Sequence, residues 1–210
     1  MGARLFSVLI GYGFGSFLTA EAVAGRFAGK RASEIGGTGN PGMANVMASL
    51  GFVPGIITLA GDLGKCIAAG LISYCLFKNN GRIITLYAGL GCTLGHDFPF
   101  WRRFRGGKGV ATTSMAVTLY AFLPGLITNV AGMLVVFITK YLCLGGPVIP
   151  LFFTLLMLVK KEFEAALLGG ILTLLSVISH GKAVLEIRRG LTKKTDVLQA
   201  IRKKMANSGK

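Results

Sequence analysis

The chain has 210 residues, of which 52% are hydrophobic and only 15% charged, with a mean hydropathy of +0.65. A soluble domain carries about a quarter of its residues as charges, so this composition excludes one and predicts an all-α polytopic membrane protein. Lys and Arg outnumber Asp and Glu by 23 to 8, a formal net charge of +15; in so apolar a chain the excess points away from nucleic acid and toward anionic lipid headgroups or an anionic substrate.

Apolar runs at residues 5–24, 52–77, 83–98, 110–123, 126–144, 148–159 and 165–178 predict about seven transmembrane helices, with five or six as the alternative counts. Several runs fall short of the ~20 residues that span hydrocarbon, so those helices borrow flanking residues, tilt, or enter only partway. The first run follows Arg4 and reads as a retained span because further apolar runs come after it. Within it, Gly11, Gly13 and Gly15 put small residues four apart on one face, where a neighbouring backbone can come close.

With the N-terminus outside, 17 of the cations fall on the inner side and five on the outer, Lys65 remaining within a span. This asymmetry places the C-terminus and the polar stretch 95–110 in the cytoplasm, and the expected location is the plasma membrane. Residues 1–182 read as one integral membrane domain and residues 183–210 as a basic tail. In that tail Val184, Ile187, Leu191, Leu198 and Ile201 can line the lipid face of an amphipathic helix; a solvated basic tail fits the same pattern.

The first inner loop holds Gly37-Thr38-Gly39-Asn40-Pro41-Gly42, a G-x-G-x-x-G match with Asp62 twenty residues beyond. No strand precedes it and no βαβ unit surrounds it, which excludes a dinucleotide fingerprint. Its general chemistry remains: glycines turn successive N–H groups toward one concavity, and Thr38, Asn40 and Asn45 add side-chain donors for an anion. A plain turn between helices is the alternative. The second loop, Arg105-Gly106-Gly107-Lys108-Gly109, is not a P-loop, since Gly109 stands where Ser or Thr would follow the lysine. A lysine among three glycines can still bring a point charge to a phosphate that the backbone also approaches. The alternative is a positive-inside anchor with Trp101 and Phe104 in the interface.

His96 and His180, the two histidines of the chain, both close apolar runs at the inner face and suggest a shared site. Each is a candidate proton shuttle or anion donor, or else a helix-end residue bonded to backbone. Asp62 and Lys65 share a helix face within the second run, where they either neutralise each other or hold a loop. Two separated histidines without clustered Cys, Asp or Glu make a poor metal-ligand set, and Cys66, Cys75, Cys92 and Cys143 read as packing residues. No metal, cofactor or covalent nucleophile is expected.

Together these pieces resemble the PlsY-type glycerol-3-phosphate acyltransferases that use acyl phosphate as donor. The resemblance rests on Gly15-Ser16, on Gly37 to Gly42 followed by Asn45-Val46 and Leu50-Gly51, on Asp62 and Lys65, and on Gly95-His96-Asp97-Phe98-Pro99 running on to Phe104-Arg105-Gly106-Gly107-Lys108-Gly109-Val110. His180 with Val184, Ile187 and Gly190 adds a weaker third match. It implies a seven-helix membrane enzyme that transfers a fatty acyl group from acyl phosphate to glycerol 3-phosphate. The products would be lysophosphatidic acid and phosphate, without coenzyme A or metal, and the partners are those substrates and membrane lipids.

On that resemblance the catalytic residues are Lys108, His96 and His180. Lys108, Arg105 and the backbone of Gly106, Gly107 and Gly109 would hold one phosphate, while Thr38, Gly39, Asn40 and Asn45 shape the adjoining pocket and the histidines orient the acceptor or a phosphate oxygen. The chain departs from the family pattern at Thr38 for Ser, Ala44 for Thr and Ala48 for Arg, and at Ala183, Glu186 and Thr192 for Asn, Arg and Glu. These losses of phosphate-binding donors make a catalytically silent lipid-phosphate binder the first rival reading. A small organic-phosphate transporter is the second.

Overall fold

The computed structural model describes residues 1–36 and 39–191, and among them every regular element is helical. Helices are the expected outcome, because a segment in hydrocarbon must satisfy its own backbone N–H and C=O groups. The first apolar run forms α1 (Gly2–Ser16) and α2 (Thr19–Ala28), broken where Phe17 and Leu18 turn extended. A short α3 (Met43–Leu50) lies beyond the first loop and Gly51, at φ 97°, turns it into the long α4 (Phe52–Leu76). The chain then forms α5 (Ile83–Asp97), α6 (Val110–Tyr120), α7 (Phe122–Thr139), α8 (Leu142–Val159) and α9 (Phe163–Arg188).

Among the described residues five segments are able, by length and composition, to cross a membrane: Gly2–Ala28 taken together, α4, α7, α8 and α9. The other helices, α3 with 8 residues, α5 with 15 and α6 with 11, are shorter than a full span. Of the 15 residues of α5, 12 are buried, so the other helices wrap it on nearly all sides. Its neighbour α1 approaches through paired small residues. A Cβ on Gly11 or Gly15 would strike the backbone of Ala88 or Cys92, and a Cβ on Gly91 would strike the carbonyl of Val8. Gly13 meets nothing within 4 Å, so the packing face of the glycine stretch is Gly11 and Gly15 alone. The outward faces carry large apolar side chains such as Phe122, Ile138 and Val159, as lipid contact requires.

Two boundaries differ from the expected runs. The break near residue 144 falls earlier, at Lys140 in the left-handed region, and α8 begins at Leu142 with Pro147 and Pro150 inside it. A proline removes one helix donor, which neighbouring helices tolerate in a membrane bundle. The other break moves from around residue 124 to Ala121, because Pro124 fits the first turn of α7, where its missing N–H has no partner to lose. α9 also runs without interruption through residue 182 to Arg188, so the expected domain boundary does not coincide with a helix end. The tail positions Leu198 and Ile201 lie outside the described residues.

The bundle has two polar ends. At one, Arg4 grips Glu164 with bonds of 2.6 and 3.0 Å, Tyr87 donates to Glu164 at 2.9 Å, and Tyr120 donates to Glu162 at 2.6 Å. The other holds the loops around residues 29–42 and 98–109, together with both histidines.

Candidate functional site at the looped end of the bundle

The site is built over the break in the first span. Breaking a helix in an apolar bundle frees carbonyls that need donors, and Gly15, Ser16 and Phe17 each receive one. Lys65 Nζ donates to Gly15 O at 3.3 Å and Phe17 O at 2.8 Å, and Trp101 Nε1 donates to Ser16 O at 2.7 Å. Lys65 also pairs with Asp62 at 2.9 Å and meets His96 Nδ1 at 2.8 Å, while Thr19 donates to Asp62 at 3.2 Å. Asp62, Lys65 and His96 are all buried. The intramembrane pair neutralises itself, and instead of holding a loop it ties α4 to α2, to α5 and to the carbonyls of the broken first span.

Beyond the C-terminus of α5 the chain folds back on its own helix. Gly106 N–H donates to Asp97 O and Gly107 N–H to His96 O, each at 2.9 Å. These two amides are thus consumed within the protein, which corrects the expectation that they bind phosphate. The glycines serve proximity instead: a Cβ on Gly106 would strike the His96 carbonyl, and one on Gly107 would strike His96 Nε2. Gly109 caps α6 in the left-handed region, at φ 62°. The first amides of α6 have no carbonyl of their own helix to bond.

The first loop is held in the same indirect way. Both amide protons of Asn45 go to carbonyls, Ala32 O at 3.0 Å and Ile35 O at 2.9 Å. This corrects the reading of Asn45 as an anion donor; it is the residue that shapes the loop. Gly39, at φ 60°, and Asn40 lie on the loop itself, and Thr38 is outside the described residues. A clasp that the sequence reading missed joins the two loops: the Glu21 carboxylate accepts from Ala32 N–H at 2.9 Å and from Arg102, whose other nitrogen donates to Ser33 at 3.1 Å. The signal was present, because an acidic residue inside an apolar run is costly unless paired.

His180 is buried in α9, with Nδ1 2.8 Å from Ser176 O and its ring against the position a Cβ of Gly146 would take. Ser179 donates to Asp97 Oδ2 at 2.7 Å. Since Asp97 follows His96 and Ser179 precedes His180, this bond ties the end of α5 that carries His96 to the turn of α9 that carries His180. Asp97 Oδ1, buried against Gly109, has no donor among the described residues. Lys108 is half-buried, its charge within electrostatic reach of His180 and Cys143, and no carboxylate pairs with it among the described residues. Arg105 is exposed at the rim, with no side-chain partner described. The arrangement can receive an anion at Lys108 and offer it or its neighbour two imidazoles.

A sequence model of the glycerol-3-phosphate acyltransferase family matches residues 5–190. The chain belongs to that family. It is 39% identical over 199 residues to glycerol-3-phosphate acyltransferase 1 of Lactobacillus johnsonii, covering 95% of this chain and 96% of the relative. To glycerol-3-phosphate acyltransferase 2 of Thermotoga maritima it is 30% identical, over 95% of this chain and the full length of that one. Among solved structures, PlsY (YgiH), an integral membrane glycerol 3-phosphate acyltransferase, in its glycerol 3-phosphate form gives a TM-score of 0.82 at 24% identity. The match covers 94% of this chain and 98% of that one. The likeness shows that the two share a fold: an all-helical, multi-pass membrane bundle.

Proposed function

We infer that this family member transfers a fatty acyl group from acyl phosphate to glycerol 3-phosphate, releasing phosphate and lysophosphatidic acid. The observation that carries the reading is Lys108, a half-buried cation on the second glycine loop that pairs with no carboxylate among the described residues, with buried His180 within electrostatic reach and buried His96 packed on the adjacent Gly107. Both substrates present phosphate, and the donor is a mixed anhydride already activated toward attack. Positioning and stabilisation of developing charge are then sufficient catalysis.

In this reading Lys108 and the opening amides of α6 hold one phosphate, with Arg105 at the rim. The loop carrying Thr38, Gly39 and Asn40, shaped by Asn45, walls the adjoining pocket, and His96 and His180 orient the reacting groups. The short α5 and α6 complete seven passages, with the N-terminus outside, the site on the cytoplasmic face of the plasma membrane and the acyl chain in lipid. The residues after 182 form its basic cytoplasmic tail.

The test is an assay of purified, folded protein in detergent with palmitoyl phosphate and glycerol 3-phosphate. Phosphate and lysophosphatidic acid are expected in equal amounts, and neither forms when an acceptor is omitted or when glycerol replaces glycerol 3-phosphate. A folded preparation that makes no product overturns the reading in favour of a silent binder. Exchange of labelled glycerol 3-phosphate across sealed vesicles would mark a transporter.

A further inference from the structure

The two histidines differ in what their inner ring nitrogens touch. His96 Nδ1 lies 2.8 Å from Lys65 Nζ, and an ammonium can only donate. The other partners of that ammonium, Asp62 Oδ1, Phe17 O and Gly15 O, are all acceptors as well, so Lys65 is the donor in every contact it makes here. Asp62 Oδ1 is 3.6 Å from the same ring nitrogen, too far to take a proton from it. His96 Nδ1 therefore accepts, and in a neutral imidazole the proton sits on Nε2. In His180 the order is reversed. Its Nδ1 lies 2.8 Å from the carbonyl oxygen of Ser176, which can only accept, so Nδ1 carries the proton and Nε2 a lone pair.

Neither Nε2 has a hydrogen-bond partner among the described residues, and both bear on the same turn. His96 Nε2 fills the space where a Cβ of Gly107 would stand, and a Cβ on Gly146 would meet both His180 Nε2, at 2.9 Å, and the side chain of Val110, at 3.0 Å. Gly107 and Val110 bracket Lys108 and Gly109.

We propose that the two histidines are held in opposite neutral tautomers and divide the polar work of the site: His96 presents an Nε2–H donor, set by the buried Lys65, and His180 presents an Nε2 acceptor, set by the Ser176 carbonyl. The identity of their ligands rests on the acyl-transfer reading above. A donor suits an oxygen that bears or gains negative charge, on phosphate or on the acyl carbonyl. The acceptor suits a hydroxyl of glycerol 3-phosphate. Lys65 touches neither substrate and is a positioning residue, acting through His96.

With only two histidines in the chain, protein labelled with 15N in histidine alone reads the tautomers directly. Two neutral rings are expected, one protonated at Nε2 and one at Nδ1, and His96→Gln and His180→Gln each remove one ring and assign the pair. Two rings of one kind, or the reverse assignment, overturn the proposal. Lys65→Met should let His96 populate both tautomers and leave the His180 ring unchanged, while Lys65→Arg keeps the Nε2–H form. An unchanged His96 ring in folded Lys65→Met protein overturns the role of Lys65. Because that change strands Asp62, the charge-balanced Asp62→Asn/Lys65→Met pair is the second variant, and the unsubstituted protein alone decides the tautomers.

Activity gives an independent readout. Gln at position 96 carries an N–H where Nε2–H stood, whereas Asn reaches only the Nδ1 position. His96→Gln should therefore retain at least about tenfold more activity than His96→Asn, the size expected for one hydrogen bond to a charged group; equal loss in both overturns the donor role. The spectra need no substrate, so opposite tautomers in a protein without acyl transfer would refute the reaction and leave this inference standing.

Discussion

Two lysines in this chain show how partners divide residues of one type. Every proton of Lys65 is spent on Asp62, His96 and the carbonyls of the broken helix, whereas Lys108 has no carboxylate to neutralise it among the described residues. Lys108→Ala should lower acyl transfer by about 100-fold or more with helix content unchanged, given about 1.5–3 kcal/mol for a hydrogen bond to a charged group and the added loss of phosphate charge. Near-normal turnover in that variant would remove Lys108 from the site. Lys65→Ala should instead lower the yield of folded protein, because it strands a buried carboxylate. At Gly107 the argument is steric. An added methyl falls on His96 Nε2, so Gly107→Ala should displace the ring and cost at least about tenfold in turnover. Gly13→Ala, which meets open space, should change neither turnover nor melting temperature. The candidate residues Lys108, His96 and His180 were legible because polar groups between apolar runs are conspicuous. The work of Gly106, Gly107 and Asn45 was not, since the same residue types serve either to bind an anion or to let backbone segments touch. Only the partners distinguish the two.

At the scale of elements, the glycine pairs of the first and fifth helices were half legible. Small residues four apart on α1 signal a close approach, but not which helix approaches. The partner proves to be α5, whose own Gly91 and Gly95 meet α1 backbone in return. Neither carbonyl met at this contact can retreat without unwinding a helix turn. Gly11→Leu or Gly91→Leu should therefore prevent assembly, seen as loss of the monodisperse peak in detergent and of the thermal transition. A folded variant with an unchanged melting temperature would contradict the geometry. The break in the first span could not be read from hydropathy, because Phe17 and Leu18 are as apolar as their neighbours. Its cause lies elsewhere in the chain, in the donors that Lys65 and Trp101 supply. The position of Glu21 was another matter. A carboxylate in an apolar run demands a partner, and Arg102 is that partner, 81 residues away in sequence.

The whole molecule is polarised, and the direction of that polarity is open to a direct experiment. One end is closed by the Arg4–Glu164 and Tyr120–Glu162 contacts and carries the exposed turn Lys78–Asn80, next to which Phe77 stacks on Phe6. The other end carries the glycine loops and most of the cations. Lys and Arg are retained on the cytoplasmic side of a membrane, so the 17-to-5 division of cations read from the sequence predicts that the loops lie there and the N-terminus outside. Glycerol 3-phosphate, a doubly charged metabolite, would then reach Lys108 from the cytosol without crossing lipid. The four native cysteines are first replaced, with alanine at the buried Cys66 and Cys92. Single cysteines are then placed at Asn80 and Glu34, both exposed and at opposite ends. A membrane-impermeant maleimide applied to intact cells should label Asn80→Cys and spare Glu34→Cys, and inverted vesicles should reverse the result. Labelling of Glu34→Cys from outside would invert the molecule and leave its site on the wrong side for a cytosolic substrate. Labelling of both positions from one side would mean that α4, which joins them, does not cross. The length of α4, 25 residues or about 37 Å at 1.5 Å per residue, argues that it does, since the hydrocarbon it must traverse is about 30 Å thick.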